Sequence, residues 1–131
     1  MTQPSQVALV TGGSSGIGAC AVRELLDAGF TVYTVARRVD RMQALADRGA
    51  HVFAMDVTDD DSMVSGVQRI ITEQGQIDAL VNNAGYGSYG PVEHVPLDAA
   101  RRQFDVNVFG LARLQQLVIP HMRTPRRGRV V

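Results

Sequence analysis

The sequence predicts an α/β fold, a doubly wound parallel sheet with helices on both faces. Three observations carry this expectation. Short β-rich apolar runs recur, and segments of helical spacing alternate with them. The first run is continuous rather than alternating, as a strand covered on both faces requires. A glycine-rich loop joins that run to the first helical segment.

The first strand is expected over Val7–Val10, "VALV". Beyond the glycines, Ile17, Ala21, Val22, Leu25 and Leu26 recur at helical spacing, and Gly29 supplies a stop. Thr31–Ala36 reads as the second strand, followed by a short helix through Met42 and Leu45 to Gly49. His51–Met55 reads as the third strand. Thr58 and Asp61 have the spacing of a capping box before a helix whose Met63, Val67, Ile70 and Ile71 share a face, ended by Gly75. Ile77–Val81 is the fourth strand. A loop rich in turn formers, Asn82–Pro91, then leads to one long helix from near Leu97 to about Pro120. The final "GRVV" has the pattern of a fifth strand just beginning, so the sheet is expected to be truncated in or after that strand.

With 131 residues, 45% hydrophobic and 20% charged, the chain has the size and composition of one globular domain and not of a disordered segment. Basic and acidic residues balance at 13 each, which argues against nucleic acid as a partner. The basic stretch Arg123–Arg129 reads as a solvated approach to the last strand. The start "MTQPSQ" lacks the pattern of a secretion signal and no run is long enough for a membrane span, so a cytoplasmic location is expected. Cys20 cannot close an intrachain disulfide and is read as filling space in a helix. His51, His94 and His121 are too scattered for a metal-ligand pattern.

Chemistry concentrates in "TGGSSGIG", Thr11 to Gly18. Glycines at a strand-to-helix junction let a diphosphate approach the backbone, and the N–H groups of the helix start attract negative charge. A Walker A loop is excluded, because Ala19 and Cys20 stand where lysine and a hydroxyl residue would follow Gly18. The context favours a Rossmann-type dinucleotide site over a turn that uses glycine for geometry alone.

The second strand ends in "VARR", with Ala36, Arg37 and Arg38 where an NAD-binding chain usually places an acid for the ribose hydroxyls. Arginine there suits a ribose 2′-phosphate, so NADP(H) is expected over NAD(H), with Arg37 the stronger contact and Arg38 secondary. Asp40 is read as the N-cap of the short helix.

"TGGSSGIG", "NNAG" (Asn82 to Gly85) and Asn107 in "FDVNVFG" together resemble the short-chain dehydrogenase/reductase family, in matching order over essentially the whole chain. The resemblance implies a single NAD(P)-binding domain over residues 1–131, incomplete at its C-terminus. It implies cofactor contacts from Gly12, Ser14, Ser15, Gly16, Ile17 and Gly18, from Asp56 and Val57 at the adenine, and from Asn83, Ala84 and Gly85. Asn82 is read as structural, satisfying buried backbone groups. Asn107 is expected to support a proton-relay water, while Tyr86 and Tyr89 are left open between pocket lining and loop packing.

The implied reaction is hydride transfer between NADP(H) and a small-molecule carbonyl or alcohol. The family's serine and YxxxK motif are not matched, since the chain holds no lysine. This chain alone is therefore expected to lack normal catalysis, the alternative being a catalytically silent cofactor-binding or interaction module. Assembly as a homo-oligomer is left open.

Overall fold

A computed structural model describes residues 3–131. Five parallel strands form one sheet: β1 (Val7–Thr11), β2 (Thr31–Ala36), β3 (His51–Ala54), β4 (Ala79–Val81) and β5 (Arg129–Val130), in the order β3-β2-β1-β4-β5. The helices are α1 (Gly16–Asp27), α2 (Gln43–Asp47), α3 (Asp60–Gln74), α4 (Leu97–Phe104) and α5 (Leu111–Arg123). The architecture is the expected doubly wound one, and the fifth strand is formed.

Every residue of β1 is buried, because the strand pairs on both edges and is covered on both faces. Val7 and Leu9 pack with Tyr33, Val35 and Leu80 against Met63, Val67 and Ile70 of α3 and Leu114, Val118 and Met122 of α5. Val10 and Val32 pack with Val22 of α1 and Leu45 of α2 on the opposite face. Alternating side chains along one continuous apolar strand thus feed two cores.

Asp78 fixes the lower end of the sheet. Its carboxylate accepts from the Val7 N–H at 2.8 Å and the Gln76 side-chain amide at 2.8 Å, and it pairs with Arg127 at 3.1 Å. Arg127 of the basic stretch is therefore engaged in the sheet's lower corner rather than simply solvated.

Several expected boundaries move. Regular β4 pairing begins at Ala79 rather than Ile77, because Asp78 is occupied with the start of β1. The N-cap of α3 is Asp59, which accepts from the Ser62 N–H, and not Thr58, whose hydroxyl and N–H both bond Asp56. Asp40 caps nothing: it lies inside a 3₁₀ turn, Val39–Met42, whose N-cap position is Arg38. Cys20 is exposed on the outer side of α1 and fills no core space.

The long helix is interrupted by a π-helical turn, Asp105–Gly110, between α4 and α5. It also runs past Pro120 to Arg123. Proline removes one helical N–H, which the helix tolerates here because Pro120 lies on the exposed side.

Candidate cofactor cleft

All strands are parallel, so their C-terminal ends share one edge of the sheet. Chain order reverses between β1 and β4, one crossover leading outward to β2 and the other to β5. In open α/β sheets the crevice at such a switch point is where ligands sit. A cleft of about 510 Å³ opens there, lined by the β1–α1 loop, the ends of β2 and β3, the segment after β4 and Val106 of the π-turn.

The floor is built by close backbone approach. Gly12 has φ +72°, and a Cβ on it would lie 2.9 Å from the Ala84 Cα. Gly16 has φ +56° with open space where a Cβ would be, so the loop turns left-handed with its backbone bare to the cleft. Ser15 occupies the N-cap of α1, yet its side chain makes no cap hydrogen bond and the first turn contains no acidic residue. The positive end of the helix is thereby left for a ligand anion.

The Thr11 hydroxyl joins this loop to the segment after β4. It accepts from the Asn83 and Ala84 N–H groups, each at 3.0 Å. The Asn83 side chain in turn donates to the Gly12 carbonyl at 3.1 Å. Successive side chains leave a strand on opposite sides, so only one of the two asparagines reaches Gly12. Asn82, expected to satisfy buried backbone, instead has a buried Nδ2 without a partner among the described residues.

At the other end, Arg37, Arg38 and Arg41 line the cleft with Met55, Asp56 and Val57. Asp56 accepts from the Thr58 N–H at 2.9 Å and hydroxyl at 2.7 Å. These bonds, the hydroxyl's first, together with the Arg37 charge hold its carboxyl below the usual aspartate value. Arg38 lies 3.9 Å from Asp40, an exposed pair worth little on its own.

Of the expected site residues, Gly12, Ser14, Ser15, Gly16, Ile17, Arg37, Arg38, Asp56, Val57, Asn83, Ala84 and Gly85 all line the cleft. Gly18 lies beneath it, where a Cβ would meet the Gly12 carbonyl at 2.3 Å. Asn107 stands behind the wall: its Oδ1 accepts from the Tyr86 N–H at 3.1 Å and its Nδ2 donates to the Tyr86 carbonyl at 2.7 Å. Tyr86 lines the cleft; Tyr89 does not and is 97% exposed.

Sequence reasoning assigned no site role to Thr11, which it placed in the motif, nor to Val35, Arg41, Met55 and Val106. Arg41 had a usable signal, since a turn beginning at Arg38 brings a residue three positions on back to the same side. Thr11 and Val106 had none beyond their neighbours.

Comparison with known proteins agrees with this geometry. Residues 6–131 match the family model for short chain dehydrogenases. The chain is 34% identical over 126 residues to a 3-ketodihydrosphingosine reductase of Bacteroides thetaiotaomicron, covering 96% of this chain and 45% of that protein. It is 34% identical over 118 residues to an NADPH-dependent 3-dehydrocapnine reductase of Ornithobacterium rhinotracheale, covering 86% and 41%. A short-chain dehydrogenase structure from Streptomyces avermitilis superimposes with a TM-score of 0.95 at 34% identity, over 98% of this chain and 48% of that one. The chain thus spans less than half the length of these relatives. Motif order, cleft construction and similarity over nearly every residue agree: the chain belongs to the short-chain dehydrogenase family.

Proposed function

We propose that this chain is the dinucleotide-binding portion of an oxidoreductase that uses NADP(H) in preference to NAD(H). The observation that carries the reading is the trio of Arg37, Arg38 and Arg41 at one end of the cleft, with no carboxylate at the end of β2. A 2′-phosphate placed there meets guanidinium donors, whereas an NAD-type site places an acid at this point. The related reductase described as NADPH-dependent supports the same choice.

The residues fit the cofactor. The bare backbone at Gly16, with Ser14 and Ser15, receives the diphosphate at the start of α1. Val57 and Val106 flank the adenine with Asp56 at its edge. Ile17, 82% exposed, offers an apolar wall toward the nicotinamide, and Asn83, Ala84 and Gly85 close the far side. When bound, the cofactor supplies hydride transfer to or from a carbonyl or alcohol carbon. Asn107, beyond holding Tyr86, keeps a second lone pair on Oδ1 with which to support a relay water.

The matching serine, tyrosine and lysine are not among these 131 residues. The chain alone therefore binds cofactor without turning over small carbonyl compounds. We assign it to the cytoplasm, and no helix among the described residues is long and apolar enough to cross a membrane.

Titration of the chain with NADPH and NADH, followed by nucleotide fluorescence, tests the reading. NADPH is expected to bind at least tenfold tighter, and Arg37→Ala is expected to remove most of the difference, about 1.5–3 kcal/mol for a charge-assisted contact. Equal affinity of the wild-type chain for the two nucleotides would overturn it.

A further inference from the structure

One six-residue turn reaches two walls of the cleft. Gly110 closes the π-turn with φ −61°, a conformation any residue adopts, so backbone freedom does not explain the glycine. Space does. A Cβ at Gly110 would lie 2.4 Å from the Val57 carbonyl oxygen, 3.0 Å from the Asp105 carbonyl and 3.1 Å from the Val57 Cβ. Two of these atoms are main chain and cannot swing aside, so any side chain pushes the Val57 segment outward.

Three residues earlier in the same turn, Asn107 holds both backbone polar groups of Tyr86. The fit is close there too: a Cβ on Gly85 would lie 3.1 Å from Asn107 Oδ1. Immediately before Asn107, Val106 itself lines the cleft. The wider i→i+5 turn lets one short segment meet the loop after β3 and the loop after β4 together.

We propose that the π-turn is a clasp that sets the width of the adenine slot between Val57 and Val106, with Gly110 as its positioning residue. This inference rests on the dinucleotide reading above. Gly110 touches no ligand; it acts through the Val57 backbone.

The test uses adenosine 5′-monophosphate and adenosine 2′,5′-bisphosphate as probes of the full chain. Gly110→Ala is expected to weaken both by the same factor, about tenfold, with far-ultraviolet circular dichroism unchanged. Arg37→Ala is expected to weaken the 2′,5′-bisphosphate by a clearly larger factor than the monophosphate, whereas Gly110→Ala weakens both equally, which separates slot width from phosphate recognition. Unchanged monophosphate affinity in folded Gly110→Ala would refute the clasp and leave the cofactor reading intact. Failure of the wild-type chain to bind the monophosphate would overturn the dinucleotide reading and the clasp with it.

Should Gly110→Ala not fold, hydrogen exchange on the wild type decides. The monophosphate is expected to protect the amides of residues 107–110, which do not line the cleft, as well as those of 56–57. Protection confined to 56–57 would refute the clasp.

Discussion

Thr11 shows how one hydroxyl organises a site. It serves the two N–H groups that follow Asn82 and donates at 3.4 Å to the Val81 carbonyl. Thr11→Val keeps the shape and removes the acceptor, leaving the Ala84 N–H unpaired in a half-buried place and the Asn83 N–H with only the Val81 carbonyl at 3.1 Å. A loss of about 1–3 kcal/mol in urea unfolding is expected, together with weaker nucleotide binding in titration. At Asp56, the folded-state pKa lies below the ordinary 3.8, so its stabilising contribution is present above that value and is lost as pH falls through the folded one. Wild type is therefore expected to be more stable than Asp56→Ala at neutral pH, and the gap to close in acid, measured by thermal melts from pH 7 to 2. At this scale the glycine loop was legible because its chemistry lies in missing side chains. Thr11 was not, since a threonine at a strand end looks like β-propensity and nothing more.

Among the elements, β2 and α3 are tied through Tyr33. This fully buried residue donates from its hydroxyl to Glu73 and accepts from the Gln74 amide at 3.1 Å, and its ring stacks on His51 at 4.5 Å. Burial first, then the bond to Glu73, raises the Tyr33 pKa above 10.0. Its contribution to stability is thus complete below pH 10.0 and lost as pH rises through the folded value. Alkaline unfolding of the wild type should consequently follow phenolate absorbance, and Tyr33→Phe should lose that coupling. At the end of α3, Gly75 adopts φ +76° as the left-handed cap, and Gly75→Ala is expected to cost about 1 kcal/mol in urea unfolding. That stop was plain in the sequence, whereas the break in the long helix was not. "DVNVFG" has the composition of ordinary helix, and the partners the wider turn meets, Val57 and Tyr86, are distant in the chain. The cap of α3 moved by one position for a related reason: Thr58 and Asp59 both have capping side chains, and Asp56 claims Thr58.

For the molecule as a whole, the doubly wound parallel sheet followed from alternation of apolar runs with helical segments, since parallel strands demand crossovers and crossovers have one hand. The order β3-β2-β1-β4-β5 and its switch point are findings of the structure. Because the cleft draws on loops after four strands, its ligand reports on global stability. NADPH at a hundred times its dissociation constant is expected to add about 2.7 kcal/mol, raising the melting temperature by roughly 10 °C in scanning fluorimetry, with a smaller rise from NADH at equal concentration. The register of the sheet also has a consequence in time. Ala8 pairs with Val32 on one side and with Ala79 on the other, so the second edge of β1 waits for a partner 71 residues later. At a synthesis rate of about 5–20 residues per second, that edge stays open for roughly 4–14 s on the ribosome. During that interval Leu9 and Val10 lack their final neighbours, and the nascent chain is open to chaperone capture until β4 arrives.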